Sequence, residues 1–281
     1  MFNPKNGLMA ITFMLVLSLC TAPGAWAQDS QLQRFQNLEG PIDIAGGTAH
    51  IPVMKDAAEA IMKANPKIRI TVAGGGSGVG VQKVGEGLVH IGNAGRPLSP
   101  EEVAKYGLKT FPFAIDGVAV AVNPGNPVGA LTSQQVRDIF AGKIKNWQEV
   151  GGTNAPIHLF TRDEASGTRE TFWEKLLKKG PIDAKANIVA SNGAMKLALA
   201  QDPLAIGYLG IGFVDQKVKA IKLDGAEPTQ ENAKSGAYAV TRQLYMNTKG
   251  EPQSLVQAFI DYIKGPEGAN IIQKHGFIPL Q

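Results

Sequence analysis

The chain has 281 residues, 44% hydrophobic and 19% charged, with a formal net charge of +4. That balance excludes a disordered chain, and the length suffices for one large domain or two modest ones with real cores. Its basic residues form no long Lys/Arg run, which argues against nucleic-acid binding. Residues 1–27 read as a secretory signal peptide. Lys5 gives a positive start, 8–19 is an apolar run too short to span a bilayer comfortably, and Ala25 and Ala27 put small residues before a cleavage point at Gln28. Cys20 raises a lipoprotein alternative, but Leu19 before it is too bulky for the usual small residue. Cleavage removes one charged residue, Lys5, taking +4 to +3, and the only cysteine, so disulfides, thiolate chemistry and cysteine metal sites are excluded beyond it.

After a polar leader at 28–40, apolar strands and amphipathic helices alternate. Ile42-Asp43-Ile44-Ala45 reads as a strand before Gly46-Gly47-Thr48. Met54, Ala57, Ala58, Ile61 and Met62 recur at helical spacing until Asn65-Pro66 stops them. Ile68-Arg69-Ile70-Thr71-Val72 alternates as a second strand, the glycine-rich 74–80 opens another helix, and Leu88-Val89-His90-Ile91-Gly92 is a third strand. Ser99-Pro100-Glu101-Glu102 is a capping box with proline at the first helical position, and its helix ends near Gly107.

A long strand at 111–122 is broken by Asn123-Pro124-Gly125-Asn126-Pro127, and Thr132-Ser133-Gln134-Gln135 is a second capping box. Pro156-Ile157-His158-Leu159-Phe160 leads as a strand into Thr161, and a helix follows Gly167. A helix at 193–201, strands at 205–209 and 238–246, and helices at 253–264 and 266–274 complete the chain. This is an α/β pattern with helices packed on sheets. Length favours two lobes, with the segments near 112–123 and 237–247 crossing between them. Lobe I is then discontinuous, 38–117 with 241–281, and lobe II is 118–240.

Three strand-to-helix junctions share one chemistry. Gly46-Gly47-Thr48-Ala49, Gly74-Gly75-Gly76-Ser77-Gly78 and Ser166-Gly167-Thr168 each place small and hydroxyl residues at a helix mouth. A helix start carries unpartnered N–H groups and partial positive charge, so converging starts make an oxyanion site without much formal charge. Arg162 adds a planar fork of donors. Each junction alone is most simply an N-cap or a turn; three in one chain, one beside an arginine, point to a site.

Competing motifs fail. The glycine stretch lacks the Lys-[Ser/Thr] ending of a P-loop, and Val79 stands where both the dinucleotide fingerprint and the nucleophile elbow want glycine. His50, His90, His158 and His275 show no metal-ligand spacing. His90 and His158 read as strand packing or edge residues, whereas His50, two residues past Thr48, is positioned to line the site.

With these residues in view, the chain resembles the phosphate-binding proteins of bacterial phosphate ABC transporters, the PstS family. The resemblance rests on Gly46-Gly47-Thr48-Ala49, Gly76-Ser77-Gly78, the run from Asp116 to Asn123 and the run from Ile139 to Trp147. Arg162-Asp163-Glu164-Ala165-Ser166-Gly167-Thr168 and Ile206-Gly207-Tyr208 complete it, and the similarity extends from about Pro41 to Pro279. It implies a two-lobed periplasmic binding protein of type II. Each lobe is a mixed β-sheet flanked by helices, and the ligand sits in the interlobe cleft. Thr48, Ala49 and Ser77 would bind inorganic phosphate from one wall, and Arg162, Ser166, Gly167 and Thr168 from the other. It further implies a monomer, neither cofactor-dependent nor an enzyme, that delivers phosphate from the periplasm to an ABC permease in the inner membrane.

One position departs from the family. Phosphate near neutral pH carries a proton and sulfate does not, so a buried acceptor separates them. Some members carry an aspartate after the third strand; here Gly95 stands there. Asp116 is the substitute candidate, against the plainer reading of a strand-start or salt-bridge aspartate, and Arg96 either pairs with it or reaches the anion. Other tetrahedral oxyanions (sulfate, arsenate, molybdate) and a signalling receptor are alternatives, as is a secreted phosphate-ester hydrolase using Ser166 or Ser77.

Overall fold

The structure, a computed structural model, describes residues 30–280. The leader at 1–27, its cleavage point and Cys20 lie outside them. Strand and helix alternate from the start. β1 (Gly40–Gly46) leads into α1 (Ile51–Ala64), β2 (Ile68–Gly75) into α2 (Ser77–Gly85), and β3 (Ile91–Ala94) into α3 (Pro100–Tyr106). The long β4 (Leu108–Val122) follows, then β5 (Ala130–Leu131), α4 (Ser133–Phe140), β6 (His158–Arg162) and α5 (Gly167–Lys175). Next come β7 (Asn187–Val189), α6 (Asn192–Gln201), β8 (Ala205–Gly210), β9 (Lys219–Ala220), β10 (Lys222–Leu223) and α7 (Gln230–Ser235). β11 (Thr241–Lys249), α8 (Ser254–Lys264), α9 (Pro266–Lys274) and β12 (Ile278–Pro279) close the chain. No helix among the described residues is long and apolar enough to cross a membrane.

The strands run in the order β2-β1-β3-β11-β4-β8-β6-β7, with β9 and β12 also pairing with β4. β1 is parallel to β2 and β3, and β6 to β7 and β8, whereas β4 and β11 run antiparallel to their neighbours. The sheet is therefore mixed, with parallel βα units at each end joined by two long antiparallel strands. Two apolar cores lie along it. One gathers Ile42, Val53, Phe113, Met246 and Phe259, the other Val118, Phe140, Trp147, Phe172 and Tyr208. The change from one core to the other falls between Ala114 and Val118 on β4 and between Val240 and Leu244 at β11.

Local chemistry explains the element ends. The Ser99 hydroxyl accepts from Glu102 N–H, the Glu102 carboxylate accepts from Ser99 N–H, and Gly107 closes α3 in the left-handed region at φ 63°. Thr132 and Gln135 repeat the box at α4. Pro112, which has no N–H to give a ladder, sits at an irregularity between Leu244 and Tyr245 of β11. There Tyr245 pairs with Pro112 and Leu244 with Ala114, so Phe113 is the extra residue and is fully buried.

Several boundaries differ from the sequence pattern, among them the start of β4 at Leu108 rather than 111 and β6 at His158–Arg162 rather than 156–160. The third strand lies at Ile91–Ala94 rather than 88–92, because Gly87 takes a positive φ of 74° and Leu88 is left exposed. The polar leader contains a short 3-10 turn, Gln31–Phe35, whose Phe35 is buried edge-on against Tyr262. β11 starts at Thr241, and Tyr238 before it is fixed by its side chain, which donates to Val118 O at 2.9 Å.

The second core centres on an aromatic trio. The Phe172 ring stacks on Tyr208 with centroids 4.0 Å apart and lies 4.7 Å from Phe140. Phe172→Ala removes both contacts and should cost about 3–5 kcal/mol in urea unfolding; a loss below about 1 kcal/mol would show that this core closes around the gap.

Candidate functional site

The starts of α1, α2 and α5 meet at one hollow of about 180 Å³, mouth included. The enclosed part is far smaller, about 10 Å³ of space for the centre of a water-sized atom, so the guest it suits is compact. From the N-terminal part come Thr48, Ala49, His50, Ser77 and Gly95; from the middle come Arg162, Ser166, Gly167 and Thr168; and Arg242 enters from β11. Among the described residues, no carboxylate lines it.

Backbone packing brings the helix mouths together. Gly46, at φ 125°, lies so close to α2 that an added Cβ would meet Gly80 Cα at 2.7 Å and Asn93 O at 2.3 Å. A Cβ on Gly167 would meet Ser77 Oγ at 2.2 Å, so the mouths of α2 and α5 touch only because that position is glycine. Gly78 N–H donates to Ala165 O at 3.0 Å across the same gap. Asn192 spans it too, its side-chain amide donating to Thr48 Oγ1 at 3.0 Å and to Thr168 Oγ1 at 3.4 Å while its Oδ1 accepts from Gly210 N–H.

The hydroxyls are oriented from behind. Ser77 Oγ accepts from Gly95 N–H at 2.9 Å, and Ser166 Oγ caps α5 by accepting from Arg169 N–H at 3.2 Å. Each therefore keeps its own O–H free to donate.

Arg162 stands at the end of β6, where the ladder to β8 stops after Leu159. The Tyr208 hydroxyl takes over, accepting from Arg162 N–H at 3.1 Å and bonding Thr161 Oγ1 at 2.9 Å. The Arg162 guanidinium is 2% exposed; one Nη donates to Ala190 O, and Nε and the other Nη have no partner. Burial pulls its pKa down, with the Asp163 charge acting against that, and an arginine stays cationic regardless.

Asp116 and Arg242 are register partners on β4 and β11. Asp116 does not line the hollow. Its Oδ2 accepts from Arg242 Nε at 3.0 Å and Nη2 at 2.7 Å, and both side chains are buried. Burial pushes the Asp116 carboxyl up while Arg242 pulls it back. Arg242, not Asp116, carries this pair's charge to the hollow, and the sequence reading missed it. Arg96 neither pairs with Asp116 nor lines the hollow: it grips Glu102 with two hydrogen bonds of 2.6 and 2.7 Å and reaches Glu170 on α5 at 2.8 Å.

His50 does line the hollow. It is fully buried, its ring lies 5.5 Å from Phe113, and the backbone carbonyls of Tyr245, Ala94 and Gly47 lie beside the ring without forming a well-aligned hydrogen bond to either nitrogen. Desolvation, then the Arg242 charge, lowers its pKa from 6.5 to about 3.

Comparison with known proteins fixes the family. A family model described as a PBP superfamily domain matches residues 26–267. The phosphate-binding protein PstS of Bacillus subtilis (strain 168) is 34% identical over 278 residues, covering 97% of this chain and 92% of that protein. The chain belongs to the PstS family. A protein from Clostridium perfringens, solved with bound phosphate and described as a phosphate ABC transporter substrate-binding protein, has a TM-score of 0.81 at 36% identity, covering 86% of this chain and 100% of that one. An ABC-type phosphate transport receptor from Vibrio cholerae has a TM-score of 0.69 at 32% identity, covering 84% and 99%. The fold is thus the two-lobed type II periplasmic binding protein of the PstS family.

The His50 shift sets an acid limit on stability. Between its unfolded pKa of 6.5 and its folded value of about 3, the unfolded chain binds a proton that the folded chain does not. Stability therefore rises with pH across that window and is lost as pH falls through it. Relative to His50→Phe, the ligand-free wild type should lose up to about 1.4 kcal/mol per pH unit below 6.5 in denaturant melts; parallel curves would contradict the buried neutral ring.

Proposed function

We propose that this chain binds inorganic phosphate in the hollow and delivers it to the permease of an ABC importer. The observation that carries the reading is Arg162: a cation 2% exposed, with Nε and one Nη unpartnered, at a small hollow where three helix starts converge. A buried guanidinium with idle donors calls for a planar or tetrahedral oxyanion. Thr48, Ala49 and Ser77 face Arg162, Ser166, Gly167 and Thr168 around that anion, and Arg242 adds charge with Asp116 as its fixed counterion. Names borne by relatives, PstS in Bacillus subtilis and a phosphate-bound transporter protein in Clostridium perfringens, supply the ligand and the transport system.

In this reading 38–117 with 241–281 is lobe I and 118–240 is lobe II, and the protein works as a monomer in the periplasm. It has no catalytic step. A serine nucleophile needs a base within hydrogen-bond reach, and neither Ser77 nor Ser166 hydrogen-bonds to His50, the histidine at the hollow. A second reading, a different tetrahedral oxyanion, draws on the lack of a carboxylate at the hollow, where Gly95 stands.

Micromolar capture corresponds to about −8.2 kcal/mol. Charge-assisted hydrogen bonds contribute about 1.5–3 kcal/mol each, and Arg162 has two to give. Isothermal titration should therefore show phosphate binding to the wild type and a loss of roughly 100-fold or more in Arg162→Ala. A folded Arg162→Ala protein with near-native affinity would contradict the assignment.

A further inference from the structure

We propose that His50 is the specificity-determining residue of this site: a lone pair on its ring accepts the hydrogen of bound monohydrogen phosphate and thereby disfavours sulfate. This rests on the phosphate reading above and supplies what Gly95 leaves out.

A census of the hollow points to this ring. Guanidinium and backbone N–H groups can only donate. Thr48 Oγ1 already accepts twice from Asn192, from its backbone N–H at 3.3 Å and its side chain at 3.0 Å, so it presents its hydrogen to the guest. Ser77 and Ser166 each accept one backbone hydrogen bond from behind. A hydroxyl can rotate to donate to one anion or to accept from another, so this wall suits any oxyanion and has no preference for one that carries a proton. His50 is different in kind. It is 0% exposed, lines the same hollow, and has no well-aligned hydrogen bond at either ring nitrogen, although the backbone carbonyls of Tyr245, Ala94 and Gly47 lie beside the ring. Those carbonyls can take the one N–H of the neutral ring, and since buried polar atoms are nearly always paired, the remaining lone pair marks a place for a guest hydrogen.

The ring is held neutral by burial and by the Arg242 charge beside it, with its pKa down at about 3. A neutral imidazole offers one N–H and one lone pair. Packing against Phe113, at 5.5 Å, would be served as well by an apolar ring, and does not account for a polar one. Sulfate of the same charge brings only lone pairs to that nitrogen. It meets repulsion and leaves the acceptor desolvated and unpaired, the mechanism by which sites built around one hydrogen bond reject analogues lacking it.

The test is calorimetric titration of wild type, His50→Phe and His50→Gln with inorganic phosphate and with sulfate, at a pH where phosphate is chiefly the monohydrogen dianion. Both anions then carry the same charge. In His50→Phe, phosphate affinity should fall at least about tenfold while sulfate affinity holds or rises. His50→Gln, whose carbonyl can accept, should recover most of the preference. A His50→Phe protein that loses both anions by the same factor, or keeps its preference for phosphate, overturns the proposal while leaving the phosphate reading intact. A wild type that binds no phosphate ends both. Should the variants not fold, the ring ¹⁵N signals of His50 in the wild type decide: phosphate should move the unprotonated nitrogen and sulfate should not, and identical responses would overturn the assignment.

Discussion

Burying a cation with idle donors is costly unless something negative arrives, and that constraint organises the site. Arg162 cannot shed its charge, cannot reach bulk water, and has one hydrogen bond from its guanidinium, to Ala190 O. Its position is fixed by structure well below it: the end of β6, the Tyr208 hydroxyl that replaces the missing ladder bond, and the Phe172 ring stacked on Tyr208. The helix mouths around it multiply the demand, since first-turn N–H groups lack intrahelical partners. Glycines at 46 and 167 permit the close approach that lets these mouths share one guest.

The second buried charge is handled differently. Arg242 is neutralised by Asp116 through two hydrogen bonds to one carboxylate oxygen, where β4 and β11 pass from one core to the other. Removing either partner would strand the other, so the pair is locked as a unit. It reaches the hollow as a fixed positive edge whose counter-charge is held behind it. Arg96 joins Glu102 on α3 and Glu170 on α5, and Asn192 joins Thr48 to Thr168, so the two sides are tied beside the hollow as well as through it.

Much of this was legible in the sequence because it is encoded locally. The capping boxes at Ser99 and Thr132, the proline that opens α3 and the helix-mouth glycines act within a few residues, and they set the elements they signal. Thr48, Ala49, Ser77, Arg162, Ser166, Gly167 and Thr168 do line one hollow. What escaped depends on distant pairing. Arg242 lies inside an apolar strand pattern, and its partner is 126 residues away; only the opposition of an arginine and an aspartate in two strand-like runs hinted at it. Asn192 reads as an ordinary helix-start residue, yet its amide reaches across 144 positions to Thr48. Asp116 is a salt-bridge aspartate, the plainer of its two readings, because the register of β4 against β11 decides what it meets.

The central claim is that separate helix mouths and a buried guanidinium enclose a single anion. A crystal structure of the protein grown with phosphate tests it most directly. The account predicts one phosphate in the hollow, within hydrogen-bond distance of Arg162, Thr48, Ser77 and the start of α5. Phosphate bound elsewhere, with Arg162 contacting only protein or water, would contradict it.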